Sequence, residues 1–370
     1  MAKNMYLDLH VIQTVPPSCV NRDDTGSPKT AIYGGTMRAR VSSQAWKRAM
    51  RVMFRDLFES EYIGFRTKNS VKLVSEEIRR NNTEIDEETS RSMASGILEL
   101  AGAKAGSDKK DVLFFISAQQ IKAIAVLAQE LADAKKNVSA KEAKNLEKTF
   151  KPKAEAALLS SPSIDILLFG RMAASNPVLN FDAAAQVAHS ISTHTVSNEY
   201  DYFTAVDDFG EEDNAGAGHL GTVEYNSSTL YRYATVNIGE LAKNLTPEEL
   251  ALAARGFAEA FIRSMPTGKQ NTFANRTLPN LVYATIREDQ PINLAGAFER
   301  PIPAGNEGYV KKSEEALFQY ASSVYEDFVA PPVLAWSVGS DADGLAERIS
   351  LTELLSNIEE TVAAYSADGE

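Results

Sequence analysis

The side chains best suited to chemistry in this chain of 370 residues are Arg38, Arg40, Ser42, Ser43, Gln44, Lys47, Arg48 and Arg51. Two arginines at i, i+2 on an extended approach point the same way, and a helix starting just after them offers free N–H groups and a positive dipole end. Hydroxyls and an amide set among cations describe a phosphodiester track: Arg and Lys bind phosphates, and small polar groups set the register. No carboxylate lies between Thr25 and Arg55 to pair with these cations. The plainer alternative is helix capping plus surface ion pairs.

A second basic stretch lies between Glu259 and Glu288, which holds Arg263, Lys269, Arg276 and Arg287 and no carboxylate. Within it, Pro266 to Thr272 reads as a helix-to-strand loop in which Gly268, Lys269, Gln270 and Asn271 could touch a nucleic-acid backbone or simply form a polar turn. It is not a P-loop, because positions 263 and 270 are Arg and Gln where that motif needs Gly and Ser or Thr. Asp23 and Asp24 beside Arg22 could hold a divalent ion for phosphodiester cleavage, although adjacent carboxylates in a Pro/Gly/Asn loop are more often turn formers. His189 and His194 are five apart, about 500° along a helix, so they cannot chelate one metal from one face. One cysteine, Cys19, and four scattered histidines supply no transition-metal set, and there is no G-x-S-x-G elbow. No cofactor is expected.

The net charge of −12 speaks against an unspecific nucleic-acid binder, but its distribution does not. Residues 1–55 carry nine basic and three acidic side chains, a local charge of +6, against −18 for the rest. The single thiol permits no internal disulfide, which fits a reduced, cytoplasmic setting. No apolar run approaches the roughly 20 residues that span a bilayer, so no membrane partner is expected.

The elements that must position these residues follow from periodicity. Tyr6 to Ile12 alternates as a half-buried strand that Pro16 and Pro17 end, and a long loop follows to Val41. Ser42 and Ser43 cap a helix to about Phe58, with Trp46, Met50, Met53 and Leu57 on its apolar face and Lys47, Arg51 and Arg55 in a stripe. Residues 70–160 read as helical apart from a strand at Val112 to Ile116. Ile164 to Phe169 reads as a buried strand and Phe181 to Ile191 as a helix. Leu230–Ile238 and Leu281–Arg287 are strands around a helix at Pro247–Arg263. Helices at Ser313–Phe328 and Leu351–Tyr365 follow. Strands separated by helices, with long excursions, predict an α+β, ferredoxin-like sheet domain carrying insertions.

Certain blocks are specific. They are Ser18-Cys19-Val20-Asn21-Arg22-Asp23-Asp24, Ile32-Tyr33-Gly34-Gly35, Arg38-x-Arg40-Val41-Ser42-Ser43-Gln44 and Lys47-Arg48-Ala49-Met50-Arg51. In the same order come Leu168 to Met172, Gln186 to His189, Asp201 to Asp208, His219 to Thr222, Tyr231 to Ala234 and Lys269 to Asn271. Together they resemble the backbone, CasC-type subunit of the type I-E CRISPR surveillance complex, Cascade.

The resemblance implies a hand-shaped, non-catalytic protein with an RRM-like palm (1–59, 161–196 and 224–370, the last with the C-terminal helices). It also implies a helical finger insertion (60–160) and a thumb hairpin (197–223). Copies would line up as a filament along the crRNA guide, kink it at intervals with the thumb, and leave bases free to pair with a target DNA strand. Further partners would be other copies and the remaining Cascade subunits, including those that cap the ends. Arg22, Lys29, Ser42, Gln44, Lys47 and Arg48 would hold guide phosphates and Met172 would lie beside the displaced base. Arg38, Arg40, Arg51, Thr204, Lys269 and Gln270 complete the expected RNA-binding set. The competing reading is a metal-dependent RNA endonuclease acting through Asp23 or Asp24. The thumb's Asp207, Asp208, Glu211, Glu212 and Asp213 would repel RNA, so they are expected to face a neighbouring copy.

Overall fold

The computed structural model describes residues 4–103, 113–204, 220–342 and 344–367. The chain divides into two compact units, residues 1–53, 186–239 and 247–370, and residues 54–185 with 240–246.

The first unit is built on β1 (Tyr6–Ser18), which pairs antiparallel with two strands introduced below. It is buried on both faces rather than one, because Leu7, Leu9 and Val11 on one side and Asp8, His10 and Ile12 on the other are all covered. Pro16 and Pro17 do not end it. They sit at an irregularity between the pairs Val15–Ser228 and Ser18–Asn226, where a missing N–H forfeits no ladder bond. The expected long loop contains a hairpin, β2 (Thr30–Tyr33) and β3 (Thr36–Val41). Its two-residue turn is Gly34-Gly35, with φ of +57° and +73°, the left-handed pair that a tight hairpin needs. A Cβ on Gly34 would also lie 1.6 Å from the Glu299 carbonyl oxygen. The helix α1 (Ser43–Leu57) follows, burying Trp46, Met50 and Phe54 at i, i+4, i+8.

The second unit is mostly helical: β4 (Gly64–Thr67), α2 (Ser70–Asn81), α3 (Glu87–Leu100), β5 (Phe114–Ser117), α4 (Ala118–Ala134), α5 (Ala140–Leu159) and α6 (Ile164–Phe169). Its core contains Ile78, Ile97, Leu98, Ile124 and Leu158. The expected strand at Ile164 to Phe169 is thus a helix. Asp165 accepts from Ser163 Oγ at 2.7 Å and from the Gly64 N–H at 2.9 Å, which stabilises its first turn. A short apolar run carries no periodicity that distinguishes the two forms.

The chain returns through β6 (Ala185–Val187), β7 (Ser190–Ser192), β8 (Glu199–Thr204) and β9 (Leu220–Asn237). The expected helix at Phe181 to Ile191 is therefore extended: Ala185 and Val187 are buried while Gln186 is exposed, the period of a strand. Next come α7 (Ile238–Ala242), α8 (Pro247–Arg263), the single turn α9 (Gln270–Phe273), β10 (Leu281–Arg287), α10 (Val310–Asp327), β11 (Leu334–Val338), β12 (Glu347–Arg348) and α11 (Leu351–Ala367). The mixed sheet runs β12-β11-β10-β1-β9-β7-β3-β2, so β1 is central and the β2–β3 hairpin forms one edge.

Two titratable groups of β1, Asp8 and His10, are buried in the sheet core and hydrogen-bonded there. Asp8 accepts from Tyr233 Oη at 3.1 Å and the Ile292 N–H at 2.8 Å, and burial raises its pKa to about 6. His10 lies among Tyr231, Tyr233 and Tyr283 with Nδ1 2.9 Å from Tyr231 Oη; burial lowers its pKa to about 3. It is a core histidine, not a ligand.

Candidate nucleic-acid interface

The amino-terminal basic block is tied to the sheet edge by backbone geometry. The Lys29 N–H donates to the Asn21 carbonyl at 2.9 Å, and the Arg40 N–H donates to the Lys29 carbonyl at 2.9 Å. Asn21 Oδ1 accepts from the Ser42 N–H at 2.9 Å, so one asparagine fixes both the loop and the entrance to α1. The Arg40 guanidinium is half-buried: Nε donates to the Thr30 carbonyl at 3.2 Å, and Nη1 stands 3.1 Å from His189 Nδ1. His189 is exposed, and its pKa is lowered by partial burial and then by the charges of Arg40 and Lys29.

Arg38 departs from expectation. The side chain is 0% exposed, donating to the carbonyls of Ser192 and Phe298, both at 2.9 Å, and to Thr36 Oγ1 at 2.9 Å. The i, i+2 spacing does put both arginines on one side of β3, but the 298–299 backbone covers the first and leaves the second at the rim. Arg38 is a strut, with no surface to offer a phosphate. Ser42 is also largely committed: it is 6% exposed, and Oγ accepts from the Ala45 N–H at 3.3 Å as a helix cap.

Along α1, Gln44 and Arg48 are exposed, while Lys47 and Arg51 are half-buried one turn apart. Burial, and then the charge of Arg51, lowers the Lys47 pKa. The helix thus keeps two cations within electrostatic reach of each other in a partly desolvated place.

The second basic stretch meets the first. Gly268 lies so close to the amino-terminal loop that a Cβ there would come within 2.1 Å of the Val20 carbonyl oxygen. Lys269 follows in the left-handed region at φ +50°, and its charge, with that of Arg22, acts on the buried Cys19 thiol. Gln270 is half-buried and opens the turn of α9, closed by the Ala274 N–H donating to its carbonyl at 2.8 Å. An open depression of about 510 Å³ runs from Val20 through Gly26 to Gly268. Among the described residues, none of Arg22, Lys29, Arg40, Arg48 and Lys269 is ion-paired with a carboxylate.

Asp23 faces this depression but is used as a turn former. Its Oδ1 accepts from the Thr25 N–H at 2.9 Å, Thr25 Oγ1 at 2.7 Å and the Ser27 N–H at 3.1 Å, which lower its pKa. Among the described residues no group of three His, Cys, Asp or Glu is arranged to hold a metal ion.

Met172 belongs to the second unit and is 81% exposed. Its neighbours hold it out: Arg171 is buried, donating to the carbonyls of Leu179 and Leu158 at 2.8 Å and bridging to Phe181, and the Ala173 N–H donates to Asn180 Oδ1 at 2.7 Å. Thr204 ends β8, an antiparallel partner of β9 whose six residues are all exposed. Asp207, Asp208, Glu211, Glu212 and Asp213 lie outside the described residues.

Sequence reasoning passed over Asn21 and His189 as site residues. Both lie inside motif blocks, but their partners Ser42 and Arg40 are 21 and 149 residues away, beyond any local period.

Comparison with known proteins places this geometry. The family model described as CT1975-like protein matches residues 7–364. Among solved structures, a chain of a "CRISPR RNA-guided surveillance complex, pre-nicking" is similar at 33% identity and a TM-score of 0.77, covering 97% of this chain and 100% of that one. A chain of another "CRISPR RNA-guided surveillance complex" is similar at 28% identity and a TM-score of 0.61, covering 97% and 99%. No curated protein matches. These matches bear out the resemblance to a Cascade backbone-type subunit that the motifs carry, and with nearly its whole length matched the chain belongs to the CT1975-like protein family.

Proposed function

We propose that this chain is a non-catalytic, guide-RNA-binding subunit of a CRISPR surveillance complex, repeated as a head-to-tail filament along the crRNA. In this reading the sheet unit is an RRM-like palm of modified ferredoxin type, the helical unit a finger, and the β8–β9 hairpin a thumb that kinks the guide. The observation that carries it is the rim where two chain segments bring together Arg22, Lys29, Arg40 and Lys269 at the entrance to the helix that carries Arg48, with no carboxylate paired to any of these five among the described residues. Phosphate grips of this kind ignore base edges, as a protein that must accept any spacer requires. Lys47, Arg51, Gln44, Ser42 and Gln270 would add register, and Met172, apolar and flexible, would pack against any displaced base. Thr204 would approach the guide from the thumb. Pairing of the guide with a target DNA strand, end-capping by other subunits and a cytoplasmic setting belong to the same proposal. No described helix is long and apolar enough to cross a membrane.

Salt tests it. If each copy neutralises ~4 phosphates, the log–log slope for single-stranded RNA is about −3 per copy, and a slope near zero refutes phosphate gripping. Incubation of assembled complex with complementary RNA and Mg²⁺ is expected to leave that RNA intact. Cleavage abolished by Asp23→Ala or Asp24→Ala would instead establish the endonuclease.

A further inference from the structure

The motif histidine His189 has no part in the scheme above, yet it stands at the rim. The β3–β7 pairing sets Arg40 opposite Ile191, and Trp46 Nε1 donates to Ser190 Oγ at 3.0 Å, so α1 and β3 both hold the strand that His189 precedes. On its other side the Ala188 N–H donates to the Tyr233 carbonyl at 2.9 Å. The imidazole is therefore carried on fixed backbone. Arg40 Nη1 has only donors to offer, so at 3.1 Å His189 Nδ1 must be the acceptor, and the ring proton must reside on Nε2. A positively charged imidazole could not serve in this way. Lys29 and Arg40, each acting electrostatically on the ring, disfavour that charge.

We propose that His189 is a positioning residue of the RNA grip, whose neutral ring accepts from Arg40 to aim the guanidinium at a guide phosphate and leaves Nε2–H as a second, uncharged donor beside it. Lys29 completes the pocket for that phosphate. The arrangement explains why two cations sit beside an imidazole with no carboxylate among the described residues: the missing anion is supplied by the ligand. A guanidinium bonded through Nε to Thr30 and through Nη1 to His189 keeps Nη2 for the phosphate and loses little rotamer freedom on binding.

This inference rests on the RNA-binding reading, and the experiment separates the two. The full-length chain is titrated onto fluorescein-labelled single-stranded RNA at several salt concentrations, comparing wild type, His189→Ala, His189→Gln, Arg40→Ala, and His189→Ala combined with Arg40→Ala. Thermal melting of each variant is recorded. His189→Ala is expected to weaken binding about tenfold, the worth of a hydrogen bond to a charged group, with the salt slope unchanged because no charge is lost. His189→Gln, which retains an acceptor and a donor, should recover to within about threefold of wild type. Arg40→Ala should lower the slope by about 0.7, and adding His189→Ala to it should cost less than about twofold more. Wild-type affinity in His189→Ala, or a loss that persists undiminished without Arg40 or follows a fall in melting temperature, overturns the assignment of His189. If Arg40→Ala also leaves affinity and slope untouched and the wild-type slope is near zero, the phosphate-gripping reading itself fails.

Discussion

Lys141, Lys144 and Lys148 recur at i, i+3 and i+7 on the exposed side of α5, opposite buried Phe150, Ala154 and Leu158. Like Arg22, Lys29, Arg40, Arg48 and Lys269 of the sheet unit, they have no carboxylate partner among the described residues. Yet the two basic surfaces are built differently. The α5 lysines ride on a regular helix with their ammonium groups in water, where like charges are screened and rotamers stay free. At the rim, Arg40 is held by a carbonyl and an imidazole, Lys47 is partly desolvated beside Arg51, and two segments more than 200 residues apart converge at Gly268. Crowding and desolvating cations costs stability, a cost that the proposed guide phosphates would offset. Charge counts alone would rank the two surfaces together; how the charges are held distinguishes them.

Three experiments press on that contrast. The largest effect is expected at Arg38, two residues from Arg40 on the same strand. Arg38→Ala leaves the Ser192 and Phe298 carbonyls unpaired in a buried site and should cost about 3 kcal/mol of stability, read as a lowered denaturation midpoint. If it instead folds normally and loses RNA, the division between strut and grip is wrong. Next, the triple variant Arg22→Ala, Lys47→Ala, Arg48→Ala should reduce the salt slope for single-stranded RNA by about 2 and the affinity about a hundredfold. Its counterpart, Lys141→Ala, Lys144→Ala, Lys148→Ala, should leave the slope unchanged and alter the affinity by no more than about threefold. Equal losses in the two triples would erase the comparison.

The smallest effect concerns the core beneath the rim. His10 is neutral when folded, with a pKa of about 3 against the usual 6.5, so the unfolded chain binds the extra proton and stability falls as pH drops below about 6.5. Asp8 works in the opposite sense: its folded pKa of about 6 against 3.8 makes its contribution fully present below about 3.8 and lost as pH rises through 6. The two nearly cancel between pH 6 and 4. Asp8→Asn should therefore expose a slope of up to about 1 kcal/mol per pH unit in urea melts across that window. A curve as flat as wild type would show that His10 does not carry it.

Much of this was legible in the residues. The helix Pro247–Arg263 and the strand Leu281–Arg287 have the bounds that the residues predict, because a proline with two glutamates opens the first and a run rich in β-branched and aromatic residues defines the second. The errors at 164–169 and 181–191 arose where runs are short and tertiary packing decides the backbone. The site divides likewise. That the amino-terminal block is basic and holds no carboxylate between Thr25 and Arg55 can be read from the chain. That Arg38 is sealed under the 298–299 backbone while Arg40 meets His189 cannot, because both partners are distant in sequence.

The Arg38 strut has a consequence in time. A ribosome releases the basic block within the first 51 residues, but the carbonyls that anchor β3 belong to Ser192, Phe298 and Glu299. For most of its synthesis the chain therefore carries its cations without the frame that aims them. The grip takes shape only when some four-fifths of the polypeptide has emerged, so a truncated product would be basic at its amino end yet unable to hold the rim in register.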